Sequence, residues 1–352
     1  MNLRHPLLVL LVALSMLAPA CGAGDTPGRG AGDSPGNRAL TVYSADGLGV
    51  WLRSQFDAFT TATGVAVNLV EGGSGEIVER ARNEGSDPQA DLLIVLPPFI
   101  QKAAQSGLLQ PGDADTTGIT SPLVGPAGIY VPIVNNALCF IANPGADPQP
   151  ASWDDLLKPE FKGRLQYSTP GEAGDGTAML LLLQHLKGKP AALDFLAKLQ
   201  TNNVGPAPST GMLQPKVSSG QLLVANGDVQ MNLASIKNDG SRFNIFFPAM
   251  PDGSRTTISL PYVAGVMART PQPDEAKKLL AFLLSKDVQN TVSAGAQGIP
   301  VLKALAADVP GDPDAMTAAG LLDDVRVWVP EWTSVLADID YDINAYQRAI
   351  GN

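Results

Sequence analysis

Hydrophobic and polar positions follow two alternating rhythms along most of the chain. Leu40-Thr41-Val42-Tyr43, Val65-Ala66-Val67-Asn68-Leu69-Val70 and Asp91-Leu92-Leu93-Ile94-Val95-Leu96 are short, largely apolar runs, as in strands covered on both faces. Between them the period lengthens. Leu52, Phe56 and Phe59 recur at spacings of four and three within residues 50–63, and Ile77 and Ala81 share one face of residues 76–83. Both are the spacing of amphipathic helices. Pro97-Pro98 stops the third run, and a helix is predicted from there to about Ser106. Further strands are predicted at 129–133, 137–142, 164–167, 229–233 and 243–247. Helices are predicted at 153–157, 177–187, 190–201, 273–285 and 332–350. Such βαβα alternation predicts an α/β fold with a parallel sheet and helices on both sides.

The start of the chain follows another pattern. A short basic segment, Met1 to His5, precedes eleven apolar-rich residues at 7–17 and the small-residue exit Ala18-Pro19-Ala20 before Cys21. The apolar run is shorter than the roughly 20 residues needed to span a bilayer, so residues 1–20 are expected to be a secretory signal peptide. Cys21 at the junction resembles a bacterial lipoprotein signal, although Leu17 stands four residues before it where that signal places leucine three before. The expectation is lipidation at Cys21, with ordinary signal cleavage after Ala20 as the alternative. Residues 21–38, rich in Gly, Pro, Ser and Asp, read as a flexible tether. Anchor, tether and globule together predict a protein on the extracytoplasmic face of the cell membrane, or periplasmic or secreted if Cys21 is not acylated. Cys139, in an apolar run, is expected to be a buried, unreactive thiol.

Composition narrows the function. The 352 residues suffice for about two domains. Lys and Arg number 24 against 34 Asp and Glu, a net charge of -10 that argues against nucleic-acid binding. Hydrophobic residues at 45% exclude bulk disorder. No Cys-x-x-Cys, His-Glu-x-x-His or Walker sequence occurs, and the Gly-x-Ser-x-Gly match at Gly32-Asp33-Ser34-Pro35-Gly36 falls in the tether rather than on a strand-to-helix turn. His5 lies in the leader and His185 inside a helical run, so no enzyme, no cofactor and no metal site is expected.

In open α/β sheets, ligands sit beyond the carboxyl ends of strands, where helix starts direct N–H groups and partial positive charge into the crevice. The first strand is followed by Ser44-Ala45-Asp46-Gly47, the second by Glu71-Gly72-Gly73-Ser74-Gly75, and the strand ending at Tyr167 by Ser168-Thr169-Pro170-Gly171. Hydroxyls with small neighbours suit a small anion such as phosphate, phosphonate or carboxylate. Taken singly, Gly-Gly-Ser-Gly reads as a turn and Asp46 equally as a helix N-cap or as partner to a cationic group. Several such turns at equivalent places suit a small zwitterion.

Asp91-Leu92-Leu93-Ile94, the run from Ser152-Trp153-Asp154-Asp155-Leu156-Leu157 to Pro159-Glu160-Phe161-Lys162-Gly163-Arg164, residues 276–284 and Gly298-Ile299-Pro300-Val301 resemble the solute-binding proteins of ABC importers. The branch is the one that includes iron, thiamine, polyamine and 2-aminoethylphosphonate binders, and the resemblance covers residues 40 to about 305. It implies a two-lobed, periplasmic-binding-protein-like fold of type II, the ligand cleft lying between lobes joined by crossing strands near 130–135 and 260–266. Lobe 1 would be 39–131 plus 262–315, and lobe 2 132–261 plus 316–352. Iron binders of the branch carry a tyrosine pair where this chain has Met231-Asn232-Leu233-Ala234, which disfavours ferric iron.

Tyr43-Ser44-Ala45-Asp46-Gly47, Gly73-Ser74-Gly75 and Ser168-Thr169 look more like the 2-aminoethylphosphonate binders. The resemblance implies phosphonate contacts from Ser44, Ser74, Ser168 and Thr169, with Ala45 in the same turn and backbone amides from Gly73 and Gly75. Asp46 would receive the ammonium. Tyr262 would close over the ligand or pack the hinge, and Thr177 would be a further donor or a helix cap. The partners implied are a small ligand and membrane permease subunits, with the protein a monomer. The alternatives are another small solute on the same fold (polyamine, thiamine, inorganic anion or ferric iron) or, in a different class, an exported hydrolase.

Overall fold

The computed structural model describes residues 38–119, 124–306 and 316–351. The expected signal peptide, Cys21 and the tether up to residue 37 lie outside the described residues. Arg38, expected as the tether's last residue, belongs to the fold. Its guanidinium pairs at 2.6 Å with the buried Asp91 carboxylate, which also accepts the Thr41 amide at 2.8 Å.

Twelve strands run through the described residues: β1 (Leu40–Ala45), β2 (Val67–Gly72), β3 (Leu92–Val95), β4 (Leu109–Gln110), β5 (Val131–Val134), β6 (Leu138–Ala142), β7 (Leu165–Gln166), β8 (Val224–Asp228), β9 (Asn244–Phe246), β10 (Thr256–Ile258), β11 (Tyr262–Met267) and β12 (Arg326–Trp328). The larger sheet has the order β2-β1-β3-β11-β4, with β5 also on β11. β1 pairs in parallel with β2 and β3, whereas β11 runs antiparallel to β3, β4 and β5. The sheet is therefore mixed, which corrects the parallel expectation. β11 returns from the second lobe and enters the first sheet from the opposite end. The smaller sheet, β7-β8-β6-β9, is mixed as well.

The helices that matter for the site are α1 (Gly49–Thr63), α2 (Ser74–Asn83), α3 (Phe99–Gln105), α4 (Gly174–Lys187), α5 (Lys189–Gln200), α6 (Gln214–Ser218), α7 (Val229–Asp239) and α8 (Pro273–Leu283). The strand predicted at 229–233 is instead the start of α7, and the strand there is β8, just upstream. The alternation of Val229, Met231 and Leu233 mimics a strand. Asp228 decides otherwise: its carboxylate accepts the Met231 amide at 2.7 Å and caps a helix. α4 is buried around its whole circumference from Gly174 to Leu183, a core helix of the second lobe.

The lobes are joined where the chain leaves β5 for β6 and where it returns from β10 to β11. These crossings lie side by side, bonded from the Leu260 amide to the Asn136 carbonyl at 2.9 Å and bridged at Ala137 and Ser259. The Ser152–Arg164 run serves the second core. Trp153 is buried and packs edge-on against Phe140 and Phe195, with ring centres 5.3 and 5.9 Å apart. Cys139 is a buried, unpaired thiol on β6, pushed up in pKa by burial. His185 stacks flat on Trp328 at 4.0 Å and is a packing residue.

Candidate functional site

Three helix starts and the end of β1 converge between the two sheets. β1 ends at Ala45 and hands on to Asp46, β2 leads through Gly73 into α2, Ala173 precedes α4, and Asp228 precedes α7. In each helix the first amides have no partner within the helix. Ala45, Asp46, Gly72, Gly73, Ser74, Leu96, Ala173, Gly174, Asp175, Thr210 and Met231 line a small cavity of about 10 Å³ there. A wider cavity of about 480 Å³ lies outside it, and Asp46 and Met231 belong to both walls. Asp46 thus stands between the inner site and its mouth.

Of the residues expected from sequence, Ala45, Asp46, Gly73 and Ser74 line the inner cavity. The other six stand just behind it. The Ser44 hydroxyl donates to the Ala45 carbonyl at 2.9 Å. Ser168 is fastened to Asn226, its amide donating to the side-chain oxygen at 2.8 Å and its hydroxyl accepting the side-chain amide at 3.1 Å. The Thr169 amide donates to the Ala207 carbonyl at 2.8 Å, while its hydroxyl accepts the Ala207 amide at 2.9 Å. Thr177 ties the turn before α4, donating to the Ala173 carbonyl at 2.8 Å and accepting the Gly171 amide at 2.9 Å. The Gly75 amide donates across the lobes to the Glu172 carbonyl at 2.8 Å. Tyr262 is fully buried on β11 and donates to the Asp46 carbonyl at 2.8 Å, with the Asp228 carboxylate 3.3 Å away. These groups hold the shape of the site.

Asp46 is not an N-cap, since α1 is preceded by Leu48 and has no side-chain cap. Its carboxylate accepts the Ser209 hydroxyl from the opposite lobe. Burial pushes its pKa up, Ser209 opposes this, and the nearby Glu71 and Glu76 push it further up.

Two more carboxylates converge on the same place, and sequence reasoning missed both. Asp175, in the first turn of α4, is 2% exposed, and its Oδ1 has no hydrogen-bond partner. Burial raises its pKa well above the carboxylate range, with Asp228 and Asp46 adding to the effect and Thr210 opposing it. Asp228 is fully buried and pushed up to about 6, chiefly by burial. None of the ion pairs among the described residues includes Asp46, Asp175 or Asp228. The missed signals were modest: an aspartate among glycines at 174–176, and an aspartate three residues before Met231, the spacing of a cap. Thr210 and Ser209 come from a segment with no periodicity to read.

Partial positive charge from helix starts thus meets carboxylate oxygen inside one closed cleft, a geometry for holding a solute that carries both signs. A family model for bacterial extracellular solute-binding proteins matches residues 40–295. The chain belongs to that family. Among the relatives of this solute-binding protein is one of Salmonella typhimurium, provisionally named a 2-aminoethylphosphonate-binding periplasmic protein. It is 44% identical over 315 residues, covering 88% of this chain and 91% of the relative. A solved periplasmic thiamin-binding protein superposes with a TM-score of 0.74 at 19% identity, covering 90% of this chain and 97% of the other. A periplasmic binding protein of Actinobacillus pleuropneumoniae, solved with fructose-6-phosphate, gives 0.70 at 20% identity, with coverage of 89% and 96%. These structures share the two-lobed type II fold with this solute-binding protein.

Proposed function

We propose that this chain is the substrate-binding lipoprotein of an ABC importer, capturing 2-aminoethylphosphonate outside the cytoplasm and delivering it to membrane permease subunits. One observation carries the reading: the starts of α2 and α4 and the carboxylates of Asp46 and Asp175 line the same cavity. Helix starts favour the phosphonate and carboxylates favour the ammonium. The name of the Salmonella relative at 44% identity supports the same solute.

The Gly75 amide bonded to the Glu172 carbonyl at 2.8 Å closes the cleft beside this cavity, so the ligand enters by parting the walls. Lobe 1, residues 39–131 plus 262–315, and lobe 2, residues 132–261 plus 316–352, would turn about the paired crossings. Contacts from both lobes then favour the closed form by their extra affinity, and the permease would recognise that form. Cys21 would carry the lipid and residues 21–37 the tether.

Calorimetric titration with 2-aminoethylphosphonate should show one tight site and with ethylphosphonate a much weaker one. Heat with spermidine but none with 2-aminoethylphosphonate would reject the solute. Acyl labelling of the expressed chain that disappears in Cys21→Ala would establish the anchor, and unchanged labelling would reject it.

A further inference from the structure

We infer that Asp175 is the residue that receives the ligand's ammonium group and so selects aminophosphonates over plain phosphonates, an assignment that rests on the function proposed above. Asp46 was the expectation from sequence, but its carboxylate is engaged by Ser209 and it also faces the outer mouth. Asp175 also has a hydroxyl beside it, Thr210, but it lies away from the outer cavity. It lines the inner cavity, is almost wholly buried, and has a carboxylate oxygen that the protein leaves unpartnered.

The charges around Asp175 are all of its own sign. Asp228 faces it from the cap of α7 and Asp46 from the end of β1, while Tyr262 on β11 is a neutral phenol and Thr210 offers a hydroxyl from the opposing loop. A buried carboxylate oxygen left without a partner is costly for a fold to hold, and a cation within hydrogen-bond reach removes that cost. No lysine or arginine among the described residues is paired with it. The missing partner is therefore supplied from outside. A primary ammonium fits, because it carries three donors and one of them can satisfy the unpartnered Oδ1 of Asp175.

The other end of the solute is fixed by the same cavity. Gly73 and Ser74 bring the start of α2, and Ala173 and Gly174 that of α4, into the same lining, where their first amides can receive the phosphonate. Ser209 then holds Asp46 across the mouth, which makes Asp46 a closing residue whose loss weakens every ligand alike.

The test measures affinity of the full chain for 2-aminoethylphosphonate and ethylphosphonate, in wild type, Asp175→Asn and Asp46→Asn. Asp175→Asn should lose at least about 100-fold for 2-aminoethylphosphonate while ethylphosphonate stays within about threefold of wild type, since a buried charge pair has been broken for one ligand only. Asp46→Asn should weaken both by a similar factor. Retained ethylphosphonate binding shows that the Asp175→Asn site is folded. Equal losses for both ligands in Asp175→Asn, or none, would overturn the assignment, and the second result would mean that Asp175 is held protonated. Amine-selective loss confined to Asp46→Asn would return the role to that residue. If wild type binds neither phosphonate, the solute reading itself fails. Asp175 is then judged by thermal protection from ethanolamine: protection lost in Asp175→Asn upholds the cation-receiving role, and equal responses overturn it.

Discussion

A methyl group on Gly75 would lie 2.5 Å from the Glu172 carbonyl oxygen and 2.9 Å from that of Gly171, both on the opposite lobe. The absence of a side chain at this position is a requirement of closure. Alanine is favoured over glycine by about 1 kcal/mol in a helix interior, so Gly75→Ala should leave unfolding of the ligand-free chain unchanged or raise it slightly. The same variant should bind 2-aminoethylphosphonate at least about tenfold more weakly, because closure would force a side chain onto backbone. Equal affinity by calorimetry would show that closure does not bring α2 against Glu172. Ser209→Ala removes one hydrogen bond across the mouth and should weaken binding by roughly 1 kcal/mol, about fivefold, mainly through faster release in stopped-flow measurements.

The start of α7 combines a cap with a buried charge. Asp228 holds the Met231 amide, and burial raises its pKa to about 6 from an ordinary 3.8. Between those values the folded chain binds a proton more readily than the unfolded chain. The contribution to stability is fully present below about pH 4 and is lost as pH rises through 6. Asp175 is shifted in the same direction, chiefly by burial, and acts with the same sign. His185 is shifted down, first by burial and then by Arg326, so it opposes the trend as pH falls. Asparagine is also a good cap, so Asp228→Asn should keep α7 while removing one titration. From pH 5 to 7.5 wild type should lose on the order of 1 kcal/mol more than the variant in denaturant unfolding. Identical pH slopes would show that Asp228 is not held protonated by the fold.

For the whole molecule, the paired crossings and the contacts at Gly75, Asp46 and Tyr262 describe two lobes that meet around the cavity. Scattering should report a smaller radius of gyration with 2-aminoethylphosphonate than without it, and an unchanged radius would argue against hinged capture. The C-terminal helix (Trp332–Ala349) also touches both bodies. Tyr346 meets Tyr167 at 3.1 Å and Lys189 pairs with Asp338 at 2.7 Å, while Lys102 on α3 pairs with the exposed Asp340 at 2.5 Å. Exposed pairs contribute little, so Lys102→Ala should change stability by less than about 1 kcal/mol.

Much of this architecture was legible along the chain. Apolar runs marked β1, β2 and β3, and helices were expected where α1, α2 and α8 stand, because burial imposes its period on local sequence. The crossings, expected near 130–135 and 260–266, lie instead between β5 and β6 and between β10 and β11. Four wall residues were found from the turns after β1 and β2, since ligand sites in α/β folds follow strand ends. Antiparallel β11, the capped start of α7 and the meeting of Asp46, Asp175 and Asp228 were decided only in three dimensions. Each depends on segments far apart in sequence being brought together, and an aspartate's own neighbours say nothing of the two carboxylates or the helix starts it will face.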